Sequence, residues 1–276
     1  MSTNRLIDTS HGSISVSESK GTGPAVLLIH GNSSCKEVFR NQLDGDVGKR
    51  YRLIAMDLPG HGASDNAPDP DVSYNMTGYA DCANEVLASL GIEKAVVMGW
   101  SLGGHIGIDM VGRHPVVSAL MISGTPPIGK SEDQLAAGFL PSEHMGLAGQ
   151  EVFSEQEADN YARATCGTNA PFEQFLLDAV KRTDGRARAM MLGAFASGQG
   201  ADQRQIAETS DTPLAIVNGG GEPFVNNEFV KSIDYKNLWE TTVHIIEGVG
   251  HAPFWEAPTQ FDPVFERFLD DVTSQA

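Results

Sequence analysis

Ala95-Val96-Val97-Met98-Gly99-Trp100-Ser101-Leu102-Gly103-Gly104 is the stretch that decides how this chain folds. Four apolar residues run straight into Gly-x-Ser-x-Gly, and a helical pattern follows. Strand, sharp turn and helix in that order are what a serine needs to stand exposed at the apex of a strained bend. Gly99 and Gly103 keep side chains clear of the bend, so the turn can be tight. The motif alone is a weak signal, because glycine and serine are common. Its flanks and its partners elsewhere in the chain give it weight.

Outward from this point, short apolar runs alternate with helical patterns. Residues 13–18 alternate apolar and polar, as in a half-exposed strand. Residues 24–30 and 52–56 are continuous apolar runs with one polar end each, His30 and Arg52, as in strands covered on both faces. Residues 77–90 place Tyr79, Ala83, Val86, Leu87 and Leu90 on one helical face, with Gly91 as the stop. Residues 95–99 and 119–123 read as strands, and 102–113 as a helix. This alternation predicts an α/β fold: a mainly parallel sheet with helices on both faces. From about 125 to 210 the strand signal vanishes. Ser154-Glu155-Gln156-Glu157 forms a capping box that opens a helix through Tyr161, and 172–181 and 186–195 are further helical stretches. That block is too long for a loop and reads as an inserted helical cap. After it come a strand at 213–217, a helix at 226–236, a strand at 243–246 and a final helix at 260–271. The expected division is a core of residues 1–124 and 211–276, with the cap over 125–210.

Composition narrows the function classes. A chain of 276 residues with 41% hydrophobic content can bury a full core. No run approaches the ~18 apolar residues of a membrane span. The first residues, Met1-Ser2-Thr3-Asn4-Arg5, lack the apolar stretch of a signal peptide, so a cytoplasmic location is expected. The net charge of -17 argues against nucleic acid or an anionic membrane as partner. A neutral or cationic small molecule fits it. The three cysteines, Cys35, Cys82 and Cys166, form no C-x-x-C pair, and the eight histidines show no metal-binding spacing. No metal and no cofactor are expected. Cys35 falls near the expected mouth of the site, where it reads either as a small buried hydrophobe or as a reactive thiol.

The serine has partners in the right order. Glu222 follows the strand at 213–217, and His251, in Val249-Gly250-His251-Ala252-Pro253, follows the last strand. Ser101 is a poor nucleophile unless a base takes its proton. His251 is the candidate base, and Glu222 would hold its imidazole in the useful tautomer. Asp57 and Asp65 are rival acids, but both precede the serine in the chain. The oxyanion formed on attack needs backbone donors. The N–H of Leu102 at the start of the helix and the N–H of Asn32, after the strand ending at His30, are the candidates. His30 reads as a structural residue beneath that loop.

His30-Gly31, Asp57-Leu58-Pro59-Gly60-His61-Gly62-Ala63-Ser64, Gly99-Trp100-Ser101-Leu102-Gly103-Gly104 and Gly250-His251 together resemble the α/β-hydrolase superfamily, across essentially the whole chain outside the cap. Within it, His30-Gly31-Asn32-Ser33-Ser34, Gly124-Thr125-Pro126-Pro127, Tyr161-Ala162-Arg163, Thr165-Cys166-Gly167, Arg182-Thr183-Asp184-Gly185-Arg186-Ala187-Arg188 and Gly250-His251-Ala252-Pro253-Phe254 are similar to the N-acylhomoserine lactonases of this fold. Several of these segments lie in the cap, where hydrolases usually diverge. The resemblance implies an eight-stranded sheet and metal-independent opening of the lactone ring of bacterial quorum-sensing signals. It implies a glutamate as the acid, matching Glu222, and a substrate contact from Tyr161. Trp100, Met145, Leu147 and Met190 are candidates for an acyl-chain wall, with plain core packing as the alternative. One departure is Gly220-Gly221 ahead of Glu222, where a charged pair is familiar, which puts the stiffness of that loop in question. The same triad serves other serine carboxylesterases and carbon–carbon bond hydrolases, and some proteins of this fold are small-molecule receptors with little turnover.

Overall fold

In the computed structural model, residues 2–166 and 170–274 are described. Gly167, part of one segment quoted above, lies outside them. Eight strands form one sheet: β1 (Thr3–Thr9), β2 (Gly12–Glu18), β3 (Ala25–Ile29), β4 (Arg52–Met56), β5 (Ala95–Trp100), β6 (Val117–Ser123), β7 (Leu214–Gly219) and β8 (His244–Ile246). Their spatial order is β1-β2-β4-β3-β5-β6-β7-β8. β2 pairs antiparallel with both β1 and β4, and the remaining pairs are parallel.

The sheet divides the apolar side chains into two layers because successive residues on a strand face opposite ways. Leu27, Ile29 and Val97 enter one layer. Val26, Leu28, Val96, Met98 and Trp100 enter the other. The central strands therefore read as continuous apolar runs. Two helices matter most for the site. α1 (Met76–Ser89) is opened by the Asn75 side chain, which accepts from Gly78 N at 2.9 Å, and α2 (Leu102–Arg113) begins directly after Ser101.

Between β6 and β7 the labelled elements are α3 (Glu155–Thr165), α4 (Gln174–Arg182), α5 (Gly185–Ala196) and α6 (Gln203–Thr209), with a short helix Glu132–Gly138 and a 3-10 turn Met145–Gly149. The Ser154–Glu157 capping box is formed in full. α6, inside the stretch read as a cap, packs against α2, where His105 Nδ1 lies 2.7 Å from Gln203 Oε1. The closing helix, α7 (Pro258–Thr273), sinks Phe261, Phe265, Phe268 and Leu269 into the second layer.

Two expectations change. β1 carries no sequence signal, since Ile7 alone of its residues is buried. It is an edge strand held by its ladder to β2. The helix expected at 226–236 covers only Asn227–Lys231. Beyond it the chain turns to make other bonds: Lys236 N donates to Ala207 O on α6, and Tyr235 Oη reaches back to Val230 O.

Candidate active site

Ser101 sits at φ 54°, ψ −118° between β5 and α2, a left-handed conformation that costs a non-glycine residue ~1–3 kcal/mol. The bend is held from both sides. Ser101 N donates to Ser123 O at 2.8 Å, and Thr125 Oγ1 donates to Ser101 O at 2.8 Å. The flanking glycines are steric necessities. A Cβ on Gly99 would stand 2.2 Å from Gly103 O, and one on Gly103 would stand 2.1 Å from Ile29 O.

His251 follows β8 and faces the same cleft as Ser101. Its Nδ1 lies 2.7 Å from Glu222 Oε1, which also accepts from Phe224 N at 3.0 Å and Val225 N at 3.3 Å. A carboxylate facing Nδ1 fixes the tautomer, so Nδ1 carries the proton and Nε2 is free to accept one. The loops on either side are pinned. Glu256 accepts from Gly250 N at 2.9 Å and Ala252 N at 3.1 Å, bracketing His251. Gly220 N and Gly221 N donate to Ile246 O and Val249 O, both at 2.8 Å, so the glycine pair ahead of Glu222 is tied by its backbone.

Asn32 and Leu102, the candidate oxyanion donors, come from two different elements, the loop after β3 and the start of α2. Leu102 is the first residue of α2, so its N–H has no carbonyl within the helix. Asn32 follows β3, and both residues line the cleft with Ser101. The Asn32 side chain reaches the helical layer above: Nδ2 donates to Ala148 O at 2.7 Å, and Oδ1 accepts from Ser33 Oγ at 3.2 Å. Tyr161, on α3, lines the cleft and pairs through its hydroxyl with the Asn32 side chain. Burial pushes its phenol well above the usual range.

About 620 Å³ of empty space, open solvent at the mouth included, lies over the site. Its apolar wall is Met145, Met191, Leu192, Phe139, Phe195 and Phe224. Of the four residues suggested as an acyl-chain wall, Met145 alone lines it. Trp100 is 1% exposed and stands behind His251, donating from Nε1 to His251 O at 2.8 Å, so it supports the loop and forms no wall. Leu147 and Met190 pack against the core layers instead.

The α/β hydrolase fold family matches residues 24–258. The chain belongs to the α/β-hydrolase family. Among solved structures, it is 52% identical to the N-acyl homoserine lactonase AidH complexed with N-butanoyl homoserine, with TM-score 0.95 over 98% of this chain and 97% of that one. A serine-to-glycine mutant of AidH complexed with N-hexanoyl homoserine lactone is 51% identical, with TM-score 0.95 over 99% of each chain. The 2-(acetamidomethylene)succinate hydrolase of Mesorhizobium japonicum is 33% identical over 80% of this chain and 79% of its own. This is an AidH-like hydrolase.

The other groups singled out in the sequence take structural places. Cys35 is buried, and burial raises its thiol far above the usual range, so it is an unreactive packing residue. Asp57, a rival acid, is fully buried and committed elsewhere: Oδ1 accepts from Lys36 N at 2.7 Å, and Oδ2 from Lys36 Nζ at 2.7 Å and Ala63 N at 2.9 Å. Cys35, Glu37 and Asp57 are near enough to one another to hold a metal ion, but both Asp57 oxygens are already occupied. His30 sits under the Asn32 loop, with Nδ1 2.7 Å from Gly31 O and Nε2 accepting from Leu58 N at 3.1 Å. Burial lowers its pKa to about 4.

Arg188 is a contributor with no sequence signal beyond its place in a quoted segment. It is 4% exposed, and among the described residues no carboxylate forms a salt bridge with it, although the charge of Asp184 reaches it. It donates from Nε to Gln150 O at 2.8 Å and from a terminal nitrogen to Glu151 O at 3.0 Å, and lies 4.2 Å over the Phe153 ring. Another terminal nitrogen reaches Ser33 Oγ at 3.4 Å, next to Asn32. Met191, Leu192 and Phe195 lie on one face of α5, as i, i+1 and i+4 do, but nothing in the sequence marks that face as the one toward the cleft.

Proposed function

We propose that this hydrolase opens the lactone ring of N-acylhomoserine lactones, a quorum-quenching reaction, through Ser101, His251 and Glu222 and without a metal. The observation that carries the reading is the likeness to AidH over 97–98% of both chains, helical insertion included. Hydrolases of one fold share a triad but differ in what covers it. The apolar cleft beside Ser101 supports an acylated substrate.

Ser101 Oγ attacks the lactone carbonyl as its proton passes to His251 Nε2. Glu222 steadies the imidazolium through Nδ1. The carbonyl oxygen becomes an oxyanion between the amides of Asn32 and Leu102, where each donor is worth about 10²–10³ in rate. When the tetrahedral centre collapses, the ring C–O bond breaks and His251 protonates the departing oxygen. The new alcohol stays tethered to the acyl-enzyme. Water then gives a proton to His251 and attacks the ester, releasing N-acylhomoserine and returning the proton to Ser101.

Replacing Ser101 tests this. Ser101→Ala is expected to lower kcat by about 10⁴-fold or more, while wild type yields one product heavier than the lactone by one water. Ring opening at wild-type rate in Ser101→Ala would exclude the mechanism. Release of free fatty acid with homoserine lactone intact would make the enzyme an amidase.

A further inference from the structure

The cleft lining includes an imidazole that the proposed chemistry leaves unused. His105 stands on α2 four residues beyond Ser101, and its N–H donates to Ser101 O at 3.3 Å. Side chains on a helix lean toward its N-terminus, so this imidazole leans back toward the nucleophile turn. It lines the cleft, with the Phe139 and Phe195 rings 6.1 and 4.9 Å from it.

The tautomer of His105 is set from behind. Gln203, 2% exposed and absent from the cleft lining, presents Oε1 to Nδ1 at 2.7 Å. The amide is oriented by Gln203 Nε2, which makes a long donation to His105 O at 3.5 Å. The oxygen therefore faces the ring, Nδ1 carries the proton, and Nε2 keeps a lone pair. No described residue donates to Nε2. Burial lowers the pKa to about 4, with nearby His251 adding to the effect, so the ring stays a neutral acceptor around neutrality.

We infer that His105 Nε2 accepts the amide N–H of the substrate and so selects N-acylated lactones over lactones lacking that group. The inference rests on the lactonase reading. In such a substrate the nitrogen is bonded to the ring carbon beside the attacked carbonyl, so it must lie close to Ser101. An amide N–H buried without an acceptor is costly. The other polar side chains of the cleft have partners of their own, His144 included, whose Nε2 lies 3.4 Å from Glu143 Oε1. Asn32 holds Ala148 O, Tyr161 pairs with Asn32, and Thr165 Oγ1 donates to Tyr161 O at 2.9 Å. Ser101 and His251 carry the chemistry.

The test pairs N-hexanoyl homoserine lactone with α-hexanoyloxy-γ-butyrolactone, which carries an ester oxygen in place of the N–H. With rates corrected for hydrolysis in alkali, wild type is expected to favour the amide by about ten-fold in kcat/KM. In His105→Leu that preference falls to near unity, mainly through a higher KM for the amide. In Gln203→Leu, which frees the tautomer without entering the cleft, it falls part of the way. The inference is overturned if wild type shows no preference. It is equally overturned if a folded His105→Leu retains the preference within about two-fold while losing rate on both lactones, which marks a structural role. Should His105→Leu fail to fold, the wild-type ratio and Gln203→Leu decide. Wild type that opens neither lactone yet cleaves a simple ester would defeat the lactonase reading itself.

Discussion

Glu256 never touches the cleft, yet its carboxylate holds the amides on both sides of His251 at 2.9 and 3.1 Å. Glu256→Ala leaves those two donors unpaired and frees the loop that aims the imidazole. We expect kcat to fall by about ten-fold with KM nearly unchanged, and Glu256→Gln, which restores one acceptor, to recover part of the loss; initial rates on one lactone check both. A KM effect alone would mean that Glu256 shapes the cleft. Glu222→Gln acts more directly. An amide that donates to Nδ1 would enforce the wrong tautomer, and a loss of about 10⁴ in kcat follows from that fault elsewhere. Ser101, Glu222 and His251 could be picked out as candidates because each falls on the stretch that follows a readable strand. Glu256 and Gln203 were not, because a lone polar residue that supports a distant backbone leaves no periodic trace.

At the scale of elements, the Asn32 loop is tied to the helical layer by side chains. Asn32 reaches Ala148 in the 3-10 turn, and Arg188 on α5 binds Gln150 O, Glu151 O and Ser33 Oγ. Arg188→Met keeps much of the packing over Phe153 but leaves the part-buried carbonyls of Gln150 and Glu151 without that donor. A loss of about 2–3 kcal/mol is expected in urea unfolding, together with a lower kcat/KM; undiminished stability would show that water replaces the guanidinium. The sheet centre could be read from the sequence because burial on both faces forces apolar runs. β1 could not, since its pairing to β2 is made by backbone. The 226–236 helix was overread because hydrogen bonds to α6 compete for its second half. On α5 the chain itself gives no sign of which face the cleft occupies, which is how Met190 was chosen over Met191.

Across the whole molecule, three of the five buried histidines among the described residues, His30, His61 and His105, have pKa values lowered by burial from 6.5 to about 4, 3 and 4. The unfolded chain binds protons below 6.5 that the folded chain refuses until about 4. Their contribution to stability is therefore complete above 6.5 and is lost as pH falls through that window. Asp262, raised to about 6 by burial, and Asp109, also raised by burial, work in the opposite sense over part of the range. The net expectation is a urea midpoint that drops between about pH 6.5 and 4.5, by an amount near 1.4 kcal/mol per pH unit for each net proton. A flat profile would show that these imidazoles are charged in the fold. The cleft has its own consequence at this scale. No lysine or arginine is among its described lining residues, and the chain carries a net charge of -17. A lactone enters uncharged and leaves as a carboxylate, so hydrolysis itself writes an exit visa: the product becomes a foreign ion in a greasy, anionic host. Added N-acylhomoserine should then compete poorly, with an inhibition constant well above KM, and salt should narrow the gap by screening.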